Sequence, residues 1–491
     1  MFVKKTIVTA LSLGFVFAAN ADDASDLKDL KEIVAKQQAQ LETLNKQVKE
    51  QDTSNKEAVA QYVKTEVDTQ MKAQKSLLTL GKHISAFKIS GDLRLRYQHE
   101  DTRDDIPGGF DTGAKTNKGV AVKGDSAQRD RFRQRLRIGM NWESKDEMWE
   151  VGARLVTGSS DGRSTNDTYG DDVHGSKSES AAYEHGDIRI DLAYAKLKFS
   201  TKEDDFNSAL TMGQQPNSYK TNWVFMDSDL NPVGITYQYD MFTDGANAEK
   251  KPDEHAAWFN TFGVYTVDHR NDGKERSDVF LMQGQTGYRN DTALVALGYS
   301  HYGANASDLN LNGISDTGDI RKGSYTYDIA NISGEYYLVG DRKIEKNCVP
   351  GSGFALKASA EYAKNLGANN EDSQNRITGT SGAPPVAFNN PNPAGLGDDQ
   401  AYFLAIDSKY DQYRAGFGWA HIEQDALPKF IIDSDFASGN TGYEGLFFKL
   451  GMNITKNLEL NGTAMYAKTI NENAAQRDKL DLYQLDMVWK F

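Results

Sequence analysis

The sequence has little cysteine, no second long apolar run and no excess of positive charge. Its one cysteine, Cys348, cannot form an intrachain disulfide or a cysteine-based metal cluster. Beyond residue 21 no run reaches the roughly 18 apolar residues that a membrane-spanning helix needs, and mean hydropathy is -0.63. The net charge of -14 argues against a nucleic-acid partner and for acidic, solvated loops.

The first residues have the pattern of a secretory signal peptide. Lys4 and Lys5 precede an apolar run of 13 residues, 7–19, which is shorter than the roughly 20 that span a membrane. The small-residue triplet that follows predicts cleavage after Ala21, and residues 1–21 are therefore read as a signal peptide. Asp22, and not cysteine, follows the cleavage site, so nothing indicates a lipid anchor.

Residues 22–81 carry a heptad repeat, which predicts an α-helical coiled coil. The two apolar-seam positions hold Leu27, Val34, Leu41 and Val48, and Leu30, Gln37, Leu44 and Gln51. The alternative is a single amphipathic helix that lies on another surface.

From residue 87 the apolar period changes to two, which is typical of β-strands. Leu93, Leu95 and Tyr97 alternate with Arg94 and Arg96. A soluble sheet would turn its apolar side inward, whereas a membrane barrel turns it outward to lipid and keeps its polar side in a wet lumen.

About sixteen segments of this kind, each roughly long enough to cross a bilayer as a tilted strand, favour the membrane barrel. They are residues 87–98, 129–142, 149–158, 187–199, 207–214, 232–241, 255–268, 278–288, 292–302, 325–338, 352–363, 400–408, 411–423, 443–453, 458–469 and 480–491. Long connections follow the odd-numbered segments, 424–442 among them, and are expected to be external loops, whereas short periplasmic turns follow most even-numbered segments. Links 242–254 and 339–351 follow even-numbered segments but are longer than the short turns expected there. Eighteen strands is therefore the alternative count.

The prediction is thus an all-β, transmembrane antiparallel β-barrel over residues 87–491, preceded by the coiled-coil helix. Amphipathic rings near strand ends are expected at the membrane–water boundary. These residues are Tyr97, Trp142, Trp149, Phe199, Tyr299, Tyr302, Tyr466, Trp489 and Phe491.

Three stretches resemble the outer-membrane porin family of Gram-negative bacteria that combines an N-terminal coiled coil with a β-barrel. They are the opening strand at 87–97, Arg-Phe-Arg-Gln-Arg-Leu-Arg at 131–137, and Gly-Ala-Arg-Leu at 152–155 followed by Thr157 and Gly158. The resemblance implies an outer-membrane channel for small solutes or ions, not an enzyme, and Phe491 as an assembly signal. It also leads us to expect a homotrimer in outer-membrane lipids, with residues 22–81 as a periplasmic stalk that contacts the cell wall.

Eight arginines on one side of the first three strands form what we call the arginine wall. It consists of Arg94, Arg96, Arg129, Arg131, Arg133, Arg135, Arg137 and Arg154. A charge that faces hydrocarbon at mid-depth would cost about 2–4 kcal/mol, so these side chains should line the pore. By resemblance to general porins, loop 215–231 is expected to fold inward and to place Asp227 and Asp229 opposite the wall. The alternative is that the arginines only pair with lumen carboxylates and support the barrel.

An outer loop has the spacing of a calcium-binding loop. The candidate ligands are Asp308, Asn310, Asn312, Asp316 and Asp319, with Gly313 at the sixth position. An ordinary turn rich in Asn, Asp and Gly is the alternative, and a calorimetric titration without heat of calcium binding would exclude the site.

Two other functional classes stay open. A structural or adhesive barrel would also fit the long loops, and a hydrolase in the barrel wall is the third class, although no nucleophile motif occurs.

Overall fold

The computed structural model describes residues 84–104, 126–158, 162–169, 187–247, 249–271, 276–304, 327–367, 399–423, 426–470 and 478–491, with residues 35, 36, 38 and 39 before them. Those four residues are helical, and the remainder of the predicted signal peptide and coiled coil lies outside the described residues. So does the predicted calcium-binding loop at 308–319.

Alternating apolar and polar residues form long strands throughout the described part of the chain. The strands are β1 (Ile84–Asp104), β2 (Ser126–Ser144), β3 (Trp149–Thr157), β4 (Asp167–Thr168), β5 (Ile188–Lys198), β6 (Phe206–Gln214), β7 (Val233–Phe242), β8 (Ala257–Asn271), β9 (Arg276–Arg289), β10 (Ala293–Ala304), β11 (Tyr327–Val339), β12 (Phe354–Asn365), β13 (Gln400–Tyr410), β14 (Tyr413–Ile422), β15 (Tyr443–Asn453), β16 (Leu458–Thr469) and β17 (Asp478–Lys490).

The strands close into an antiparallel barrel because β1 pairs with both β2 and β17. The seam runs from Asp92 opposite Lys490 to Asp104 opposite Asp478. The two-residue β4 pairs with β2 above the end of β3, so β3 and β4 occupy one place in the wall. The barrel therefore has sixteen strands. All sixteen predicted segments are confirmed, and the alternative of eighteen is not.

The strand alternation separates two environments. Apolar side chains such as Ile89, Phe132, Leu297 and Leu404 are exposed on the outer surface. Their neighbours along the strands point inward, and many of them are polar and buried, as at Arg96. This is the pattern of a barrel with an apolar exterior and a polar interior.

One aromatic residue departs from the expectation for the strand ends. Tyr302 is only 2% exposed and packs inside the barrel against Tyr327 and Phe430. The prediction that it lies at the membrane boundary is therefore wrong.

The interior also holds an apolar cluster, which fills part of the lumen. Aromatic side chains of the strands contribute Tyr265, Phe403 and Phe447, and the segments between strands contribute Phe225 and Phe436. Burial of these rings holds the inter-strand segments inside the barrel.

One end of the barrel carries short turns, and two longer turns at that end, 243–256 and 340–353, contain a 3-10 turn (Pro252–Glu254) and a short helix α1 (Arg342–Lys346). We call this the short-turn end. Among the described residues, no helix is long and apolar enough to cross a membrane.

Candidate functional site

The register of β1 and β2 places five arginines of the wall side by side inside the barrel. Arg94 lies opposite Arg135, Arg96 opposite Arg133, and Asp92 opposite Arg137. Since side chains of directly opposed residues share one side of a sheet, these groups form a continuous charged surface.

Carboxylates pair with much of this surface. Asp92 accepts from Arg135 Nη2 at 2.9 Å and from Arg137 Nε at 2.6 Å. Arg96 donates through Nε to Asp486 Oδ1 at 2.7 Å and through Nη1 to Asp435 Oδ2 at 2.8 Å. These are charge-assisted hydrogen bonds, which fix the guanidinium planes.

The other arginines of the wall have different surroundings. Arg133 is buried and donates to Gln98 and Ser164, at 3.2 and 3.1 Å. Arg94 donates to Asn166, Arg131 pairs with Glu100, and Arg154 pairs with Asp191. Arg129 lies exposed towards the long-loop end of β2.

The segment between β6 and β7, residues 215–232, contacts inward-facing side chains on two sides of the barrel. On one side Asn231 donates to Asp191 of β5 at 2.6 Å. On the other, the Asn222 amide donates to Glu361 of β12 at 2.7 Å, and Tyr219 donates to Asn331 of β11 at 2.6 Å. Because β5 and β12 are seven strands apart around the barrel, residues 215–232 cross the barrel interior. We call them the crossing segment.

Asp229 of this segment faces the arginine wall. Its Oδ1 lies 3.8 Å from Arg135 Nη1 and 3.9 Å from Arg137 Nη1. Its Oδ2 accepts from Thr165 Oγ1 at 2.7 Å.

Asp227 faces another segment instead. Its carboxylate accepts from the Ser434 amide at 2.9 Å. Burial raises the pKa of Asp227 to about 7, and the nearby Asp229 and Asp435 carboxylates add to the rise while amide donors oppose it. The group thus resists ionisation where the two segments meet.

The partner segment, residues 426–442, also lies inside the barrel, whereas it was expected to be an external loop. The Asp433 amide donates to Val224 O at 3.1 Å, and the Asp227 amide donates to Ile431 O at 2.8 Å. From the 158–166 connection, Arg163 Nη1 reaches Lys429 O at 3.0 Å. The sequence signal for this position is the apolar run around Ile431, the same kind of signal that 215–231 carries.

A cation–π contact joins Trp223 of the crossing segment to strand β15 of the barrel. Lys449 Nζ of β15 lies 3.3 Å from the centroid of the Trp223 ring. Trp223 also packs edge-on against Phe447, with ring centroids 5.0 Å apart.

Below these segments, towards the short-turn end, is a cavity of about 620 Å³. Its basic lining residues are Arg94, Arg96, Arg135, Arg137, Arg163, Lys357, Lys409, Arg414, Lys449 and Lys490. Its acidic lining residues are Asp92, Asp227, Asp229, Glu345, Asp407, Asp433, Asp435, Glu459 and Asp486. The nearly equal numbers of basic and acidic residues make the cavity polar, although the whole chain is acidic.

The described residues contain no group of three or more His, Cys, Asp or Glu side chains placed to hold a metal ion.

Comparison with known proteins points to one family. Residues 4–303 match the model of the family described as "Putative porin". A search of curated proteins found no match.

Several solved structures are similar to this chain at low identity. A mutant of Rhodopseudomonas blastica porin is 10% identical, with 82% of this chain and 100% of that chain covered and a TM-score of 0.37. Pseudomonas putida OprB at high pH is 11% identical, covering 82% and 94%, with a TM-score of 0.43. Salmonella typhi OmpF in complex with daunomycin is 11% identical, covering 84% and 100%, with a TM-score of 0.42.

Proposed function

Because the chain belongs to this porin family, we propose that it is a passive diffusion channel for small hydrophilic solutes or ions in the outer membrane of a Gram-negative bacterium. The observation that carries the proposal is a polar, charge-lined cavity inside a closed barrel whose outer surface is apolar. Such a barrel satisfies its backbone hydrogen bonds in lipid and leaves its interior wet.

We also propose how the channel selects among ions. The arginine wall and the Asp229 carboxylate, joined by Asp227 where that group is ionised, would set a field across the solute path. The contacts of Asp229 with Arg135 and Arg137 support this, since they bring opposite charges to within 4 Å at the top of the cavity. Close pairing predicts mild selectivity that depends on the balance between the two signs.

Reversal potential in a salt gradient tests this selectivity. Removing Arg94 or Arg137, each by substitution with Gln, leaves the neighbouring carboxylates in excess. We expect the channel to shift towards cations, by about twofold or more in permeability ratio for each charge removed.

The control is Lys202→Gln, which removes one positive charge from an exposed turn between β5 and β6, outside the arginine wall and the cavity lining. Equal reversal potentials for all variants and the wild type would show that these arginines do not determine ion selectivity. A purified wild-type barrel that gives no ion conductance in planar bilayers would contradict the channel itself.

For the whole chain we propose three parts: a signal peptide (1–21), a periplasmic coiled coil (22–81) and the barrel (87–491). The heptad repeat supports association through the second part, and three copies would match a trimer of barrels. Contact of this stalk with the cell wall is part of the same proposal.

A further inference from the structure

A second cavity, of about 320 Å³, lies beside the crossing segment on the side away from the arginine wall. Lys220 of the crossing segment, Arg289 at the end of β9 and Arg342 of α1 all line it. It is separate from the main cavity, whose lining includes none of these three residues.

The two longer turns of the short-turn end build this cavity. Lys346 Nζ of one turn pairs with Asp253 Oδ2 of the other at 3.0 Å. The Arg342 amide donates to Asp291 O at 2.9 Å, which fixes the start of the helix against the next turn. The backbone of α1 is therefore held against the neighbouring turns.

Of the three carboxylates that line the cavity, Glu361 and Asp253 are engaged at close range, and Glu335 lies 3.8 Å from Arg342 and 3.9 Å from Lys357. Glu361 accepts from Thr221 Oγ1, from the Asn222 amide and side chain, and from Asn331, at 2.7–2.9 Å. Asp253 pairs with Lys346, and Arg289 Nη2 donates to Asp240 Oδ2 at 3.0 Å.

Two basic groups are left with little compensation. The nearest carboxylate oxygen to Arg342 Nη2, on Glu335, is 3.8 Å away, and within the described chain this buried nitrogen makes no hydrogen bond. The Lys220 ammonium has no hydrogen bond or ion pair to any residue that the structure describes, while Lys220 is exposed to the lumen.

The positive charge of this region favours the binding of an anion. Although Lys220 is exposed to the lumen, the surrounding barrel partly desolvates its ammonium and lowers its pKa; the Arg289 and Arg342 charges lower it further, and Asp240 and Asp253 oppose the decrease. Four positive groups, on Lys220, Arg289, Arg342 and Lys346, thus share one recess with three carboxylates. An anion between them would remove their repulsion and complete their hydrogen bonds.

We propose that this recess binds a small organic carboxylate, held by Lys220 and Arg342 and backed by Arg289. The hydrocarbon part of such a ligand would lie against Leu294 and Phe403, which line the same cavity. The volume is that of a small-ligand pocket. The inference goes beyond the channel function, because binding is measurable without conductance.

The test is calorimetric titration of the full-length protein in detergent with succinate, and in parallel with inorganic phosphate. We expect succinate to bind, and Lys220→Gln and Arg342→Gln each to weaken it about tenfold through loss of one charge-assisted contact. Lys343→Gln is the matched control: it removes a neighbouring charge from α1 that pairs outside the cavity with Asp291 at 2.8 Å.

Affinity unchanged in the control and weakened in both other variants supports the site. Absence of succinate binding overturns the proposed site. Equal weakening in all three variants also overturns it, because it indicates general attraction of anions to the basic residues of the short-turn end. Phosphate that binds as tightly as succinate overturns the carboxylate class. Circular dichroism checks folding, and Arg342→Gln alone carries the test if Lys220→Gln does not fold.

Discussion

At the scale of single residues, Asp227 makes the packing of two internal segments depend on pH. Its pKa is raised from 3.8 to about 7, so the protonated form is the one that the packed structure favours. Its contribution is greatest below pH 3.8 and is lost progressively as pH rises to about 7, because ionisation then costs more in the packed state than in the open state.

Thermal unfolding at pH 4, 5.5 and 7 measures this dependence. We expect Asp227→Asn to flatten the decline in the melting temperature between pH 4 and 7, since the amide stays neutral and still accepts from Ser434. Asp204→Asn, in a short turn, should keep the wild-type slope. A slope that is the same in all three proteins would contradict the role of Asp227.

The balance of charge in the arginine wall could be predicted only in part from the residue pattern. Alternation placed the arginines on one side of β1 and β2, but it could not identify their partners. Asp486 and Asp435 approach Arg96 from positions more than 300 residues later in the chain. Such pairing is set by barrel closure and by an internal segment, which strand periodicity does not contain.

At the scale of elements, the strands were predictable and the internal segments were less so. Every strand repeats a two-residue period that lipid on one side and water on the other enforce. The 426–442 segment has no such period, so strand periodicity alone predicts an external loop for its apolar residues Ile431, Ile432 and Phe436. The aromatic rings of Tyr302 and Phe447 break the polar-inside rule because they pack against these segments.

The strand seam around Gly91 leaves no room for a side chain. A Cβ there would lie 2.2 Å from Arg137 O and 2.7 Å from the Phe491 ring. We expect Gly91→Ala to destabilise the barrel by about 1–3 kcal/mol, the usual cost of overpacking. Urea unfolding in lipid vesicles measures it.

Gly334→Ala is the matched control, since a Cβ there meets only Leu294 O at 3.6 Å. A loss of stability in Gly91→Ala no larger than in this control would show that the seam can adjust.

At the scale of the whole molecule, the proposed trimer can be tested through the N-terminal segment, separately from the barrel. If residues 22–81 associate as a three-stranded coiled coil, cross-linking of the intact protein should give trimers, and deletion of that segment should reduce their yield. The same deletion should leave the conductance of a single barrel unchanged. A segment that stays monomeric, alone and attached to the barrel, would contradict the stalk.

Closure of β1 on β17 has a consequence for biogenesis. The Gly91 amide donates to Phe491 O at 2.8 Å, and the Phe491 amide donates back to Gly91 O at 3.0 Å, although the two residues lie at opposite ends of the barrel sequence. Until β17 is available, one edge of β1 has no partner and could pair with the wrong chain. Contacts this distant in sequence also form slowly. The folding chain therefore needs a factor that protects the free edge of β1 until β17 pairs with it and closes the barrel.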